Sequence, residues 1–187
     1  MSKIGEHNYD GLISDLSPAI FVGAGTIRKG AAKATYVRGT VFAKSDADDK
    51  LVILGTDPAA ATEKFNGDGS AVTFTLTGKP EKVTSVKVSG TAVTFTYDAS
   101  TGVVTCASAP AAGTNNVVVT YDGEVLTPAA ILCEDLEVGT SDDENAAVYF
   151  AGCFDPDKLV VAAGYTVTEA DKDALRNGGI FLKAAAK

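Results

Sequence analysis

The chain has 187 residues, 16 basic and 24 acidic, with one His, three Cys, no Trp and a single Met. A net charge of −8 argues against gripping nucleic-acid phosphates, which takes clustered Lys and Arg. One histidine leaves little room for His-based metal sites or a Ser-His-Asp triad, and the hydrophobic share of 45% is that of a folded protein.

Residues 1–27 are rich in Gly, Ser, Asp and Asn with scattered apolar residues, and read as an N-terminal arm. No basic region followed by an apolar stretch marks a secretory signal, and no run is long enough to span a bilayer. Thr35–Ala43 reads as a strand, Ser45–Lys50 as a turn, and Leu51–Leu54 as the strand that pairs back. Asp57–Ala61 reads as a linker.

The texture then changes. Val72, Phe74 and Leu76 alternate with Thr73, Thr75 and Thr77, and Val93, Phe95 and Tyr97 with Thr94 and Thr96. Val117, Val119 and Tyr121 follow the same period of two, which marks strands with one buried and one wet face. Turn residues such as Asn66-Gly67-Asp68-Gly69 and Ser89-Gly90 punctuate the block. We expect five antiparallel strands here, near 71–77, 82–89, 91–97, 103–107 and 115–121.

Beyond the block, Ala129–Cys133 and Ala146–Phe154 read as strands separated by a charged loop. Thr168 with Asp171 forms an acidic capping pattern for a helix ending near Asn177, where Gly178-Gly179 stops it. Ile180–Leu182 closes the chain as a short strand. Residues 124–187 hold 12 acidic and 5 basic side chains, so most of the −8 sits there. The expected class is α+β, mostly β: a scaffold at 28–62 and 124–187 with short strands and one C-terminal helix. A five-stranded antiparallel β-domain at 63–123 interrupts it.

With the block set aside, the remainder resembles the phage head decoration proteins of the lambda type. The resemblance rests on Arg38-Gly39-Thr40-Val41, Lys50-Leu51-Val52, Ile131-Leu132-Cys133-Glu134-Asp135 and Ala174-Leu175-Arg176-Asn177-Gly178-Gly179-Ile180, in that order. It covers 28–62 and 124–183. The inserted block and Cys133, where many members carry a small residue, depart from the pattern. The block itself resembles small β-modules of phage structural proteins.

The resemblance implies a capsid cement protein with no catalytic role and no cofactor or metal. It implies a homotrimer on the outer surface of the virion, made in the host cytoplasm, with the major capsid protein as partner. It also implies that the arm docks on the shell, which assigns Ile13, Leu16, Ile20, Phe21 and Val22 to the contact. In a segment otherwise too polar to fold alone, such residues gain by burial against a partner. Packing onto the protein's own domain is the competing reading.

Other motifs have plainer readings. Ala19–Gly25 resembles the start of a dinucleotide-binding turn, but Arg28 stands where the third glycine belongs and no crossover helix fits before Thr35. A Gly-rich linker is the preferred reading. Asp46-Ala47-Asp48-Asp49 and Asp142-Asp143-Glu144 lack EF-hand spacing and read as solvated turns. His7 reads as an exposed arm residue. Cys106, Cys133 and Cys153 form no CxxC pair and read as reduced thiols. The row Thr73, Thr75, Thr77, Thr94 and Thr96 is either a wet strand face or a face for host-surface glycans, the latter making the protein an adhesin displayed through its insert.

Overall fold

The computed structural model describes residues 10–77 and 79–184. His7 lies outside them, as do the first nine residues of the expected arm. The chain divides into two units: Asp57–Val125, and the residues on either side of it.

In the outer unit the strands are β1 (Ile13–Asp15), β2 (Phe21–Ile27), β3 (Ala34–Tyr36), β4 (Val41–Ser45) and β5 (Leu51–Ile53) before the interruption. In Asp57–Val125 they are β6 (Ala60–Gly67), β7 (Thr73–Thr75), β8 (Val83–Val88), β9 (Thr91–Ala92), β10 (Phe95–Asp98), β11 (Val103–Cys106) and β12 (Gly113–Asp122). The outer unit resumes with β13 (Leu126–Leu132), β14 (Leu136–Val138), β15 (Glu144–Phe154), the helix α1 (Glu169–Asn177) and β16 (Ile180–Leu182). The protein is thus mostly β with one helix.

The outer unit is built on a closed barrel of five strands. β15 pairs with β13, β13 with β4, β4 with β5, β5 with β2 at Ile27–Leu51, and β2 returns to β15. Closure removes the sheet edges that invite aggregation. The wall strands bury both faces. Phe42, Ala130, Leu132 and Val148 point into the interior with Ile27 and Leu51. Their neighbours Val41, Ala43, Ile131 and Tyr149 point outward into a second core with Phe154, Leu175 of α1 and Ile180. Leu175 is one of two buried residues on the helix, so α1 covers one outer face of the barrel. Thr168 caps it as expected: its hydroxyl accepts from the Asp171 N–H, and the Asp171 carboxylate accepts from the Thr168 N–H.

Several expectations need correction. The strand expected over 35–43 is two strands, because the chain turns between Tyr36 and Val41. Gly39 has φ +89° there, and a Cβ on it would lie 2.8 Å from the Lys158 carbonyl. Ala19–Gly25 is not a linker, and residues 10–27 are not an arm: β1 and β2 run antiparallel along β15. Partners run in order along β15, Ile13–Phe154, Asp15–Cys153, Phe21–Ala151 and on to Ile27–Glu144, with register shifts between Ile13 and Asp15 and between Tyr149 and Ala151. Residues 16–20 form an excursion between the two strands. The glycines make the wall possible. A Cβ on Gly25 would sit 2.6 Å from Leu51 Cδ1 and 3.0 Å from Val148 Cγ2, so bare backbone there leaves room for two interior side chains.

The inserted unit has seven strands in two sheets, in place of the five expected. One sheet has the order β6-β12-β8-β9 and the other β10-β11-β7. Both feed one core of Phe74, Leu76, Val83, Val86, Val104, Cys106, Val117 and Val119, which makes a β-sandwich. The expected strand 91–97 breaks at Val93–Thr94, where the chain leaves one sheet for the other. The expected linker 57–61 ends inside β6, so the unit begins at Asp57 rather than at 63 and ends at Val125 rather than 123. Its first and last strands are neighbours, with Ala60 opposite Asp122, and the Gly123 N–H donates to the Ala59 carbonyl at 2.7 Å. The chain therefore enters and leaves this unit at one place.

Candidate interaction surfaces

Of the five arm residues, the fold turns two inward and three outward. Ile13 and Ile20 pack against the core under α1. Leu16, on the excursion, is 79% exposed, Phe21 60% and Val22 49%. The Phe21 ring lies 6.3 Å from that of Phe150, itself partly buried against the barrel core. Leu16, Phe21 and Val22 are three of the large apolar side chains that the fold leaves exposed.

The segment before the excursion is fastened at several points. Leu12 is buried in the core. Asp10 accepts from Arg38 Nε, and Asp15 pairs with Lys183 Nζ at 2.9 Å. The Arg38 guanidinium holds the Asp10 carboxyl below its usual range, and Lys183 does the same for Asp15. Arg38 is the hub of this corner. Its Nη1 donates to the Cys133 carbonyl at 2.6 Å and to the Tyr149 hydroxyl at 2.7 Å, its plane lies over the Tyr149 ring at 5.6 Å, and its own N–H donates to Asp135. Sequence reasoning passes over Arg38 except as part of the resemblance, because nothing along the chain shows four partner residues converging from three segments.

The acidic clusters are tied to cations. Asp48 pairs with Arg28 at 2.7 Å and Lys50 with Asp143 at 2.8 Å. The Asp143 carboxylate also accepts from the Lys29 N–H. These bonds join the loops at one end of the barrel, and the lowered pKa of Asp48 and Asp143 follows from Arg28 and Lys50 respectively. Among the described residues no group of His, Cys, Asp or Glu is placed to hold a metal ion. Cys106 and Cys153 are buried and Cys133 partly so, and burial pushes the Cys106 and Cys133 thiols up. No helix among the described residues is long and apolar enough to cross a membrane.

Four of the five row threonines lie on one face of the inserted sandwich. Thr73 and Thr75 of β7 and Thr94 and Thr96 of β10 and its approach are exposed. The register places Thr96, Thr105 and Thr73 in line across the three strands. Thr77 departs from the row: its N–H and hydroxyl both donate to Glu63 of β6, closing that corner between the sheets. The outer face of the other sheet carries Lys64 and Lys87 on either side of Val118.

No family model matches the chain, and neither a curated protein nor a solved structure does.

Proposed function

We propose that the protein is a structural cement of a phage head: a trimer on the outside of the expanded shell, holding the major capsid protein. One observation carries this reading. The four segments that resemble the lambda-type decoration proteins are spread over some 140 positions, yet they meet in one unit. Val41, Ile131, Leu175 and Ile180 share a single core, and β5, which begins in Lys50-Leu51-Val52, pairs with β4. The inserted sandwich contributes nothing to that core.

The contact with the shell is assigned to Leu16, Phe21 and Val22. The backbone of Phe21 and Val22 runs beside β15 and Leu16 lies on the excursion just before it, so the docking we propose is a side-chain one, in place of a free arm adding a strand. Burial of a side chain such as Leu or Phe stabilises by about 1.5–3 kcal/mol, and three copies in a trimer multiply weak contacts into a firm one. Binding to the expanded shell alone stabilises that state by mass action. The test is co-sedimentation with expanded, undecorated heads of the phage whose genome carries this chain.

A second reading draws on the threonine face. Thr73, Thr75, Thr94 and Thr96 present hydroxyls on a sheet face free of Lys and Arg, as a neutral glycan would require. On this reading the insert is a host-surface adhesin carried on the virion. A glycan array probed with the full chain separates the two, since cement alone gives no signal.

A further inference from the structure

The three-stranded sheet of the insert has an open edge at β10, which among the described residues pairs with β11 only. The hydrogen-bonding pattern fixes which groups face that edge. The Ala107 N–H donates to the Thr94 carbonyl, and Thr96 lies opposite Thr105. In an antiparallel ladder bonded residues alternate, so Thr94, Thr96 and Asp98 bond inward to β11. Phe95 and Tyr97 therefore turn their N–H and C=O groups outward.

The other edges of this unit are charged or short. β6 carries Lys64 in mid-strand, and Glu63 bridges from it to Thr77. β9 is two residues long, and β7, the far edge of the same sheet as β10, is three. β10 has no Lys, no Pro and no bulge, the devices that normally keep an edge from pairing.

We infer that β10 is a two-fold contact through which inserts of two copies of this chain join edge to edge. The sequence Thr94-Phe95-Thr96-Tyr97-Asp98 is complementary to itself when run antiparallel. With the axis at Thr96, the outward groups of Phe95 meet those of Tyr97 in the second copy, and the reverse, giving four main-chain hydrogen bonds. Each opposed pair is then favourable: Thr96 meets Thr96, Phe95 meets Tyr97 twice, and Thr94 meets Asp98 twice. No like charges face one another. Phe95 and Tyr97 are each half-buried within one copy, and the pairing covers what is left of them. The Asp98 carboxylate, held below its usual range by the Ser100 hydroxyl, remains ionised to accept from the Thr94 hydroxyl. Sharing one surface patch between both partners is what a two-fold interface requires.

Such a contact is small, below the roughly 1,000 Å² of a stable interface. It is weak between free molecules and grows strong where copies are already arrayed, as avidity dictates. The inference needs only the inserted unit and does not rest on capsid binding.

The test uses the full chain. Residues opposite one another in a non-hydrogen-bonded pair have Cα atoms about 4.5 Å apart, within disulfide reach. Thr96→Cys is therefore expected to cross-link into dimers under mild oxidation at least ten times faster than Thr73→Cys, an equally exposed position on the same face. Thr96→Lys, which sets like charges across the axis, is expected to weaken concentration-dependent self-association in sedimentation roughly tenfold. Equal cross-linking rates at positions 96 and 73 would overturn the inference. So would self-association that Thr96→Lys leaves unchanged, or its absence up to millimolar protein.

Discussion

Removing the inserted unit at the right place should leave the barrel folded, and the geometry says where that place is. The Gly123 N–H already touches the Ala59 carbonyl at 2.7 Å, and Ala60 stands opposite Asp122. Deleting 60–122 and joining Ala59 to Gly123 keeps six residues, Asp57–Ala59 and Gly123–Val125, between Thr56 and Leu126. The gap they must cross follows from the barrel. β5 and β13 lie on either side of β4, which sets them about 9.6 Å apart. Leu54 bonds to Val41 at one end of β4, and Leu126 faces Ser45 at the other. Four residue steps along a strand add about 13 Å, for a total near 16 Å. From Leu54 the bridge consists of Gly55, Thr56 and the six kept residues, which reach about 26 Å extended, so it closes. A direct joint of Thr56 to Leu126 leaves only Gly55 and Thr56 in between, a reach of about 11 Å, and does not. Because the insert's ends are pinned together, the wild-type connection already behaves as a short loop. The 60–122 deletion should therefore shift barrel stability by less than about 1 kcal/mol in urea unfolding, whereas a floppy loop of 69 residues shortened to six would gain about 2 kcal/mol. The direct joint should fail to fold. A 60–122 deletion that unfolds, or a direct joint that folds as well, would refute the reasoning.

Three further outcomes follow from the same structure. Gly25→Ala should destabilise by about 1–3 kcal/mol in chemical unfolding, because its Cβ overlaps Leu51 in a filled interior, and Leu51→Val in the same chain should recover part of the loss; a Gly25 in a mere linker would show no effect. Asp10→Asn should lower stability at neutral pH. Since the folded Asp10 has a pKa below its ordinary 3.8, the carboxylate's contribution is complete above that value and disappears as pH falls through the lower, folded one. The wild-type and Asp10→Asn unfolding curves should thus converge in strong acid, and a gap that persists would contradict the Arg38 pairing. Leu16→Ser with Phe21→Ser and Val22→Ser should leave thermal unfolding within a few degrees of wild type, yet abolish co-sedimentation with expanded heads.

What was legible in the sequence was local. The Val/Thr alternation at 72–77 and 117–121 gave true strand positions, because each of those strands has one face in the sandwich core. The Thr168–Asp171 pattern gave the helix start, a matter of four neighbouring residues. The barrel was not legible, because its closure depends on β2 and on pairings between Ile27 and Leu51 and between Phe21 and Ala151 that no short window contains. β2 also disguises itself. Its interior positions include Gly23 and Gly25, which leave no apolar signal, while its outer end shows Phe21 and Val22, which made it look like an arm. β6 was hidden for a similar reason, since Ala60-Ala61 and Glu63-Lys64 carry neither strand propensity nor clean alternation. All five threonines of the row are exposed, and what the sequence does not show is that Thr77 bonds to Glu63, because that partner lies on another sheet.

The proposal that this chain cements a phage shell comes down to one titration. Purified protein is mixed with heads before and after expansion, and bound protein is counted by sedimentation and quantitative gel. Saturable binding in multiples of three per local threefold position, on expanded heads alone and lost with Leu16→Ser, Phe21→Ser and Val22→Ser together, is the predicted result. No binding to expanded heads, or equal binding to both forms, would contradict it.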